Sequence, residues 1–171
     1  MTGLRADVPA SRAQDSTALR RTFGAFCTGV TVVTVGGEQP RGMTANSFTA
    51  VSLDPALVLV CVARDAVMHE LLLRNDMFGI SVLSATQEQI ARHFASRRPR
   101  GAEQFAFVDT LTGELSGAPM IARAAAHFEC RLWRTYDGGD HTIVVGRVLA
   151  IGGASDEDVL FFLRGRFGSA A

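Results

Sequence analysis

The sequence predicts a mainly β protein, an antiparallel barrel or sandwich with a few short helices, and three observations carry that prediction. Residues 126–136 alternate strictly, with Ala126, Phe128, Cys130 and Leu132 on one face and His127, Glu129 and Arg131 on the other. That is the period of a half-buried antiparallel strand. β-Branched and apolar runs recur along the chain with turn chemistry between them. The helical patterns are short and do not alternate one for one with strands, which excludes a regular βαβ fold. With 171 residues, no internal repeat and no shift in composition, the sequence reads as one domain over residues 15–171 behind a leader, residues 1–14, that has no periodicity and reads as disordered.

Taken in order, the first element starts at Asp15 and Ser16, both suited to cap a helix. Leu19, Phe23 and Phe26 then recur at helical spacing, so this helix is expected to brace or cover something larger. Residues 30–35 are a β-branched strand closed by Gly36 and Gly37, and residues 43–53 continue in extended style to the Asp54 and Pro55 turn. Residues 57–62 read as a buried strand. Two short helices, residues 69–75 and 87–94, flank a strand at 78–83. Residues 96–119 are loop-like and begin with Arg97, Arg98, Pro99 and Arg100. After the alternating strand, Asp137, Gly138, Gly139 and Asp140 supply a turn, and residues 141–151 return as its hairpin partner. A last strand, residues 159–163, precedes a glycine-punctuated tail.

Composition narrows the function classes. The 47% apolar and 20% charged content is that of a folded globule, and 17 basic residues balance 17 acidic ones. A net charge of zero argues against a nucleic-acid partner held by a positive field. All the cations are arginine, so lysine Schiff-base chemistry has no candidate. Cys27, Cys61 and Cys130 show neither a disulfide framework nor zinc spacing, which fits a reducing cytoplasm. His69, His93, His127 and His141 never stand three or four apart, so no metal centre is expected. No apolar run reaches the roughly 20 residues that span a bilayer, and no membrane partner is expected. The phosphate-loop, dinucleotide and GxSxG signatures are missing as well.

Three segments remain as candidate sites. In the first, Met43, Thr44, Ala45, Asn46 and Ser47 place small and polar residues in a strand-like stretch, where backbone groups can approach the edge of a flat polar ring. The plainer alternative is an edge strand rich in Thr and Ser. In the second, Cys61, Val62, Ala63 and Arg64 lead from a strand into a helix that starts near Val67 and Met68, and a helix start suits a phosphate. A solvated turn at Arg64 and Asp65 explains the same residues. In the third, Gly138 and Gly139 hold Asp140 and His141 out from a hairpin, where an imidazole can bond a substrate amide or handle a proton. An ordinary turn histidine is the alternative. Residues 92–100 are basic, suited to phosphate or to solvent, while Phe94 and Phe105 suit stacking or core packing.

In this order the segments resemble the short flavin reductases, the reductase components of two-component flavin-dependent monooxygenases. The resemblance covers residues 19–168 and rests on FGAFCTGVTVVTV (23–35), GMTANSFTAVSLDPALVLVCVA (42–63), HFASRR (93–98) followed by Phe105, DGGDHTIVVGRV (137–148) and LFFLRGRFG (160–168). It implies a flavin-binding split β-barrel, antiparallel and Greek-key-like, as a homodimer. It also implies FMN or FAD lying along Met43, Thr44, Ala45, Asn46 and Ser47. Cys61, Val62, Ala63, Arg64, Val67 and Met68 would contact the ring edge, ribityl chain and phosphate, with Phe94 near the ring or the adenine. Gly139, Asp140 and His141 match the nicotinamide-side motif, and His141 is the catalytic candidate, positioning the carboxamide or moving a proton.

The activity implied is reduction of free flavin by NADH or NADPH, with reduced flavin diffusing to a partner monooxygenase. The sequence departs from the family pattern twice. Ala66, Val67 and Met68 stand where relatives carry hydroxyls, leaving the phosphate to backbone N–H groups or Arg64, and Gln104 with Phe105 replaces a frequent Arg-Phe pair. Two other readings are a tightly flavin-bound oxidase similar to the pyridoxamine phosphate oxidases, and a flavin-binding module without turnover.

Overall fold

Seven strands form one antiparallel sheet: β2 (Thr31–Val35), β3 (Arg41–Ala45), β4 (Thr49–Leu53), β5 (Ala56–Ala63), β6 (Met77–Val82), β9 (Ala126–Gly138) and β10 (His141–Gly152), following the short β1 (Thr28–Gly29). The computed structural model describes residues 15–96, 101–153 and 157–169; the leader and the Arg97, Arg98 and Arg100 loop of the sequence reading lie outside them. Helix α1 (Ser16–Phe23) precedes the sheet, α2 (Val67–Asn75) and α3 (Glu88–Ala95) pack against it, and β7 (Thr110–Thr112), β8 (Pro119–Ile121), β11 (Phe161–Leu163) and β12 (Arg166–Gly168) lie in two smaller sheets.

The strand order is β3-β2-β6-β9-β10-β5-β4. β3 and β4 are therefore its two ends, yet only Asn46, Ser47 and Phe48 join them. In a flat sheet six spacings of ~4.8 Å would separate the ends by about 29 Å. Four residue steps reach about 14 Å at most. The sheet must curl until its edges meet, so a barrel is the architecture.

Two cores follow. Val33, Val35, Val58, Val60, Val62, Ile80, Phe78, Cys130 and Val144 fill the barrel with Met68 and Leu72 of α2. Val30, Val32, Leu83, Ile121 and Leu160 form the second core beneath Ala91 and Phe94 of α3. β2 lies between them and is buried along its whole length, which is why its sequence is a continuous β-branched run rather than an alternation.

The structure changes several sequence-based expectations. Residues 43–53 are two strands, because the chain leaves one barrel edge and enters the other. β5 is buried on one face only, with Val58, Val60 and Val62 inward and Leu57, Leu59 and Cys61 half-buried. The loop-like stretch holds the β7 and β8 pair and a 3-10 turn at Gly101–Phe105, all too short for a periodic signal. The tail returns as β12, turning at Gly165 with φ +80°. Asp15 caps α1 by accepting from the Thr17 and Ala18 amides. None of the helix's residues is buried, and Phe23 and Phe26 stay 69% and 77% exposed, so the expected brace finds nothing to cover among the described residues.

One loop is fastened by a carboxylate. Glu129 Oε2 on β9 accepts from Leu115 N at 2.9 Å, Ser116 N at 2.7 Å and Ser116 Oγ at 2.7 Å. Partial burial pushes its pKa up, but the hydrogen bonds from Ser116, Leu115 and Glu114 together outweigh it and hold the group below the ordinary glutamate value. A lowered folded-state pKa means that the contribution to stability is present above the unfolded value and is lost as pH falls through the folded one. Glu129→Gln should therefore lower the urea midpoint at pH 7, and the gap to wild type should shrink as pH drops below the ordinary glutamate range. A gap that stays constant with pH would remove the charge from the explanation.

Candidate functional site

The site grows from the closure of the barrel. The β4–β5 ladder ends at Thr49 opposite Leu59. Two residues on, where the chain has already turned toward β3, the Ser47 side chain takes over the role of a strand: Oγ accepts from Cys61 N at 2.9 Å and donates to Cys61 O at 3.2 Å. On its other side Cys61 pairs with Ile143 of β10. The edges are thus joined by a hydroxyl.

β3 is held in the same way. Thr31 Oγ1 donates to Ala45 O at 2.8 Å, and Thr44 Oγ1 donates to Ala91 O of α3 at 2.7 Å. Buried Gln104 accepts from Gly42 N at 2.9 Å and donates to Gly42 O at 3.1 Å, like one residue of an added strand. A Cβ on Gly42 would stand 2.6 Å from the Phe94 ring, so only glycine lets α3 come this close. Phe94 and Phe105 pack with centroids 5.3 Å apart. This answers the Gln104 and Phe105 departure: the pair locks the β3 edge.

Between β3 and the start of α2 opens a cleft of about 470 Å³, lined among others by Arg41, Met43, Asp65, Val67, Met68, Phe94 and Ser96. Ala66 caps α2 without a side-chain hydrogen bond, so the helix's positive end carries no covering side-chain acceptor. Of the expected flavin-side residues, Met43, Val67, Met68 and Phe94 line this cleft, although Met68 and Phe94 lie mostly in the core. Ala45 and Val62 are buried and turn their side chains into the barrel, leaving only backbone to offer. Asn46 is exposed beside the seam. Burial raises the Cys61 thiol pKa, which keeps it protonated and unsuited to nucleophilic work.

The β9–β10 hairpin stands beside the cleft. Its two-residue turn is Gly139 and Asp140, with Gly139 at φ +77° as such turns require. Ala63, the last residue of β5, pairs with His141, and two residues later Asp65 is already in the cleft wall. His141 Nδ1 lies 2.7 Å from Asp140 Oδ1. That hydrogen bond first, and the attraction of the ring second, hold the Asp140 carboxyl below its usual range. An ionised carboxylate only accepts, so Nδ1 donates to it, which leaves Nε2 an acceptor whenever the ring is uncharged. His69 Nε2, on the first turn of α2, meets Thr142 Oγ1 at 2.8 Å and ties the helix to β10.

Arg64 departs from expectation. Its Nε donates to Gly139 O at 2.8 Å and its Nη2 lies 3.3 Å from Asp137 Oδ1, so the guanidinium lies along the hairpin. Arg41, which the sequence did not single out, is the arginine that lines the cleft among the described residues. The sequence reading named Gln104, His69 and Asp137 but not their contacts, because each acts on a partner distant in sequence or on a turn whose neighbour is. Among the described residues no three His, Cys, Asp or Glu side chains gather as a metal site, and no helix is long and apolar enough to cross a membrane.

Comparison with known proteins places this geometry. The family model described as flavin reductase like domain matches residues 23–171. The chain is 57% identical over 155 residues to an NADH-dependent FAD reductase of Streptomyces globisporus, covering 90% of this chain and 85% of that one. It is 35% identical over 159 residues to the reductase subunit of a flavin-dependent monooxygenase from Rhodococcus jostii, covering 92% and 80%. Among solved structures it superposes on a Streptomyces globisporus NADH:FAD oxidoreductase in complex with NAD and FAD fragments, with a TM-score of 0.88, 55% identity and coverage of 92% and 93%.

Ser47→Ala tests the seam. It removes the acceptor of the part-buried Cys61 N, a loss of about 0.5–1.5 kcal/mol for such a hydrogen bond. The denaturant midpoint should fall with an unchanged slope; an unaltered midpoint would mean that the edges hold without the hydroxyl.

Proposed function

The chain belongs to the flavin reductase like domain family, and on that premise we propose that it reduces free flavin with a nicotinamide dinucleotide, NADH with FAD being the leading pair and FMN or NADPH the alternatives. The observation that carries the proposal is the junction at Ala63, Arg64 and Asp65, where an open cleft and a hairpin histidine meet within three residues. The name of the Streptomyces globisporus relative supports the choice of NADH and FAD.

The residues fit such a group. A cleft of about 470 Å³ is within the usual range for small-molecule sites, and a helix start without a capping side chain suits a phosphate. Bound there, a flavin supplies the acceptor for hydride from nicotinamide C4 to flavin N5. Backbone groups of residues 43–47 and of Cys61 and Ala63 border the ring, with the Thr44 hydroxyl already committed to Ala91. The α2 amides and Arg41 face the phosphate, in place of the hydroxyls that Ala66, Val67 and Met68 lack. His141 Nε2 would accept from the nicotinamide carboxamide N–H, with the ring held through Nδ1 by Asp140. The chain's contribution to rate is mostly alignment of two reactants.

We further propose a homodimer. The uncovered stripe of α1, Leu53 at 96% exposure and Ile151 at 76% are apolar surface that a second copy would cover. Reduced flavin would pass by diffusion to a monooxygenase, a partner that the Rhodococcus jostii relative's name supports. The three free cysteines suit a cytoplasmic setting.

Purified protein should oxidise NADH steadily only when free FAD or FMN is added. A yellow protein that holds flavin but consumes neither NADH nor NADPH would overturn the assignment in favour of a binding module. In His141→Ala, loss of one hydrogen bond should raise the nicotinamide KM about tenfold, with the flavin Kd within roughly twofold. An equal loss of flavin affinity would contradict the role given to the histidine.

A further inference from the structure

We propose that Arg64 is a positioning residue for the nicotinamide side of the site, a strap that fixes the Gly139 and Asp140 turn from which His141 is presented; the role rests on the functional reading above. Arg64 is the first residue after β5, and its amide donates to Asp140 O at 3.0 Å, carrying the β5–β10 ladder one step past the Ala63 and His141 pair. Its side chain then folds back along the hairpin. Nε donates to Gly139 O at 2.8 Å, and Nη2 lies 3.3 Å from Asp137 Oδ1. The same Asp137 oxygen accepts from Gly139 N at 2.8 Å.

The peptide between Gly139 and Asp140 is therefore held at its own carbonyl, the following peptide at the Asp140 carbonyl, and Gly139 at its amide as well. This is where restraint matters. A glycine at positive φ in a two-residue turn is the most easily reoriented point of the hairpin, and a flip of that peptide would swing the Asp140 and His141 pair with it. The planar guanidinium suits the task because its donors leave in fixed directions. The Arg64 and Asp137 side chains are 48% and 83% exposed, so as an ion pair they stabilise the fold little. What the contact supplies is direction.

The strap also sets a spacing. Arg64 sits one residue before the cleft wall at Asp65, so the hairpin is held against the segment that opens into α2, and the His69 and Thr142 contact ties the next turn of chain to the same strand. A phosphate role for Arg64 would need the guanidinium to leave Gly139 and Asp137.

The test uses Arg64→Ala, Arg64→Lys, Asp137→Asn and the Ala/Asn double variant, with NADH oxidation by the wild type measured first. Arg64→Ala should raise the nicotinamide KM at least about fivefold, with the flavin Kd, read by fluorescence quenching, within roughly twofold. Lysine should rescue only in part, since it restores the charge opposite Asp137 but not the directed bond to Gly139. The double variant should be no worse than the more affected single, because both substitutions cut one contact network. A weakened flavin Kd with an unchanged nicotinamide KM would make Arg64 a phosphate ligand and overturn the proposal, as would no change in either. Hydrogen exchange of the peptide covering residues 137–141, measured without ligands, should quicken in Arg64→Ala. Unchanged exchange overturns the strap even if the wild type proves inactive, whereas an inactive wild type with quickened exchange overturns only the functional reading.

Discussion

A three-residue connection between the two ends of a seven-strand order is the constraint on which the rest of this molecule depends. Asn46, Ser47 and Phe48 can join β3 to β4 only if the sheet closes, and closure brings Met43 to Ser47 against Cys61 to Ala63. Arg41, Met43, Asp65 and Ala66 in the cleft wall are then within a few residues of that seam, and the end of α3 supplies Phe94 and Ser96. β5 runs straight on into the turn that starts α2, and β10, paired along β5, delivers the hairpin to the same end of the barrel. A site between two strand edges and a helix start is thus a consequence of how the sheet is closed.

Closure leaves backbone groups without ladder partners, and side chains satisfy them. Ser47 serves both groups of Cys61, Gln104 both groups of Gly42, Thr31 the Ala45 carbonyl and Glu129 two amides of the loop it anchors. Ser47 and Gln104 each substitute for one residue of a missing strand, and removing Gln104 would leave the buried Gly42 groups without a partner. Around the cleft these contacts fix the β3 edge and the seam, and the wall sets the small Gly42, Ala66 and Ser96 beside the longer Arg41, Met43 and Phe94. That is the texture expected where a flat, polar ligand must come close.

Charge follows the same logic. A chain whose cations are all arginine has no flexible ammonium to place at a phosphate, and its guanidinium groups are used as geometric parts. Arg64 reads a carbonyl and a carboxylate at once, Arg41 lines the cleft, and Arg134 and Arg147 stack on either approach to Trp133 at 5.9 and 5.8 Å. The net charge of zero conceals this division of labour between positioning and binding.

Local pattern made much of the molecule legible. The alternation of β9, the turn residues after it, the β-branched run of β2 and the short helices α2 and α3 are signals written within about ten residues, so the sequence placed those elements to within a few positions, and motifs in register carried the resemblance to the flavin reductase split barrel. The break between β3 and β4 was not legible, because both halves are extended and only their partners differ. Nor were β7, β8 and β12, each three residues long. The candidate site divided along the same line. By itself the sequence singled out three candidate segments, Met43 to Ser47, the start of α2 and the Asp140 and His141 turn, since residue type and spacing are local properties. Tertiary structure alone decided which of those side chains face the cleft and which the core, turned Arg64 onto the hairpin and set Arg41 in the wall, because such choices depend on which strands meet when the barrel closes.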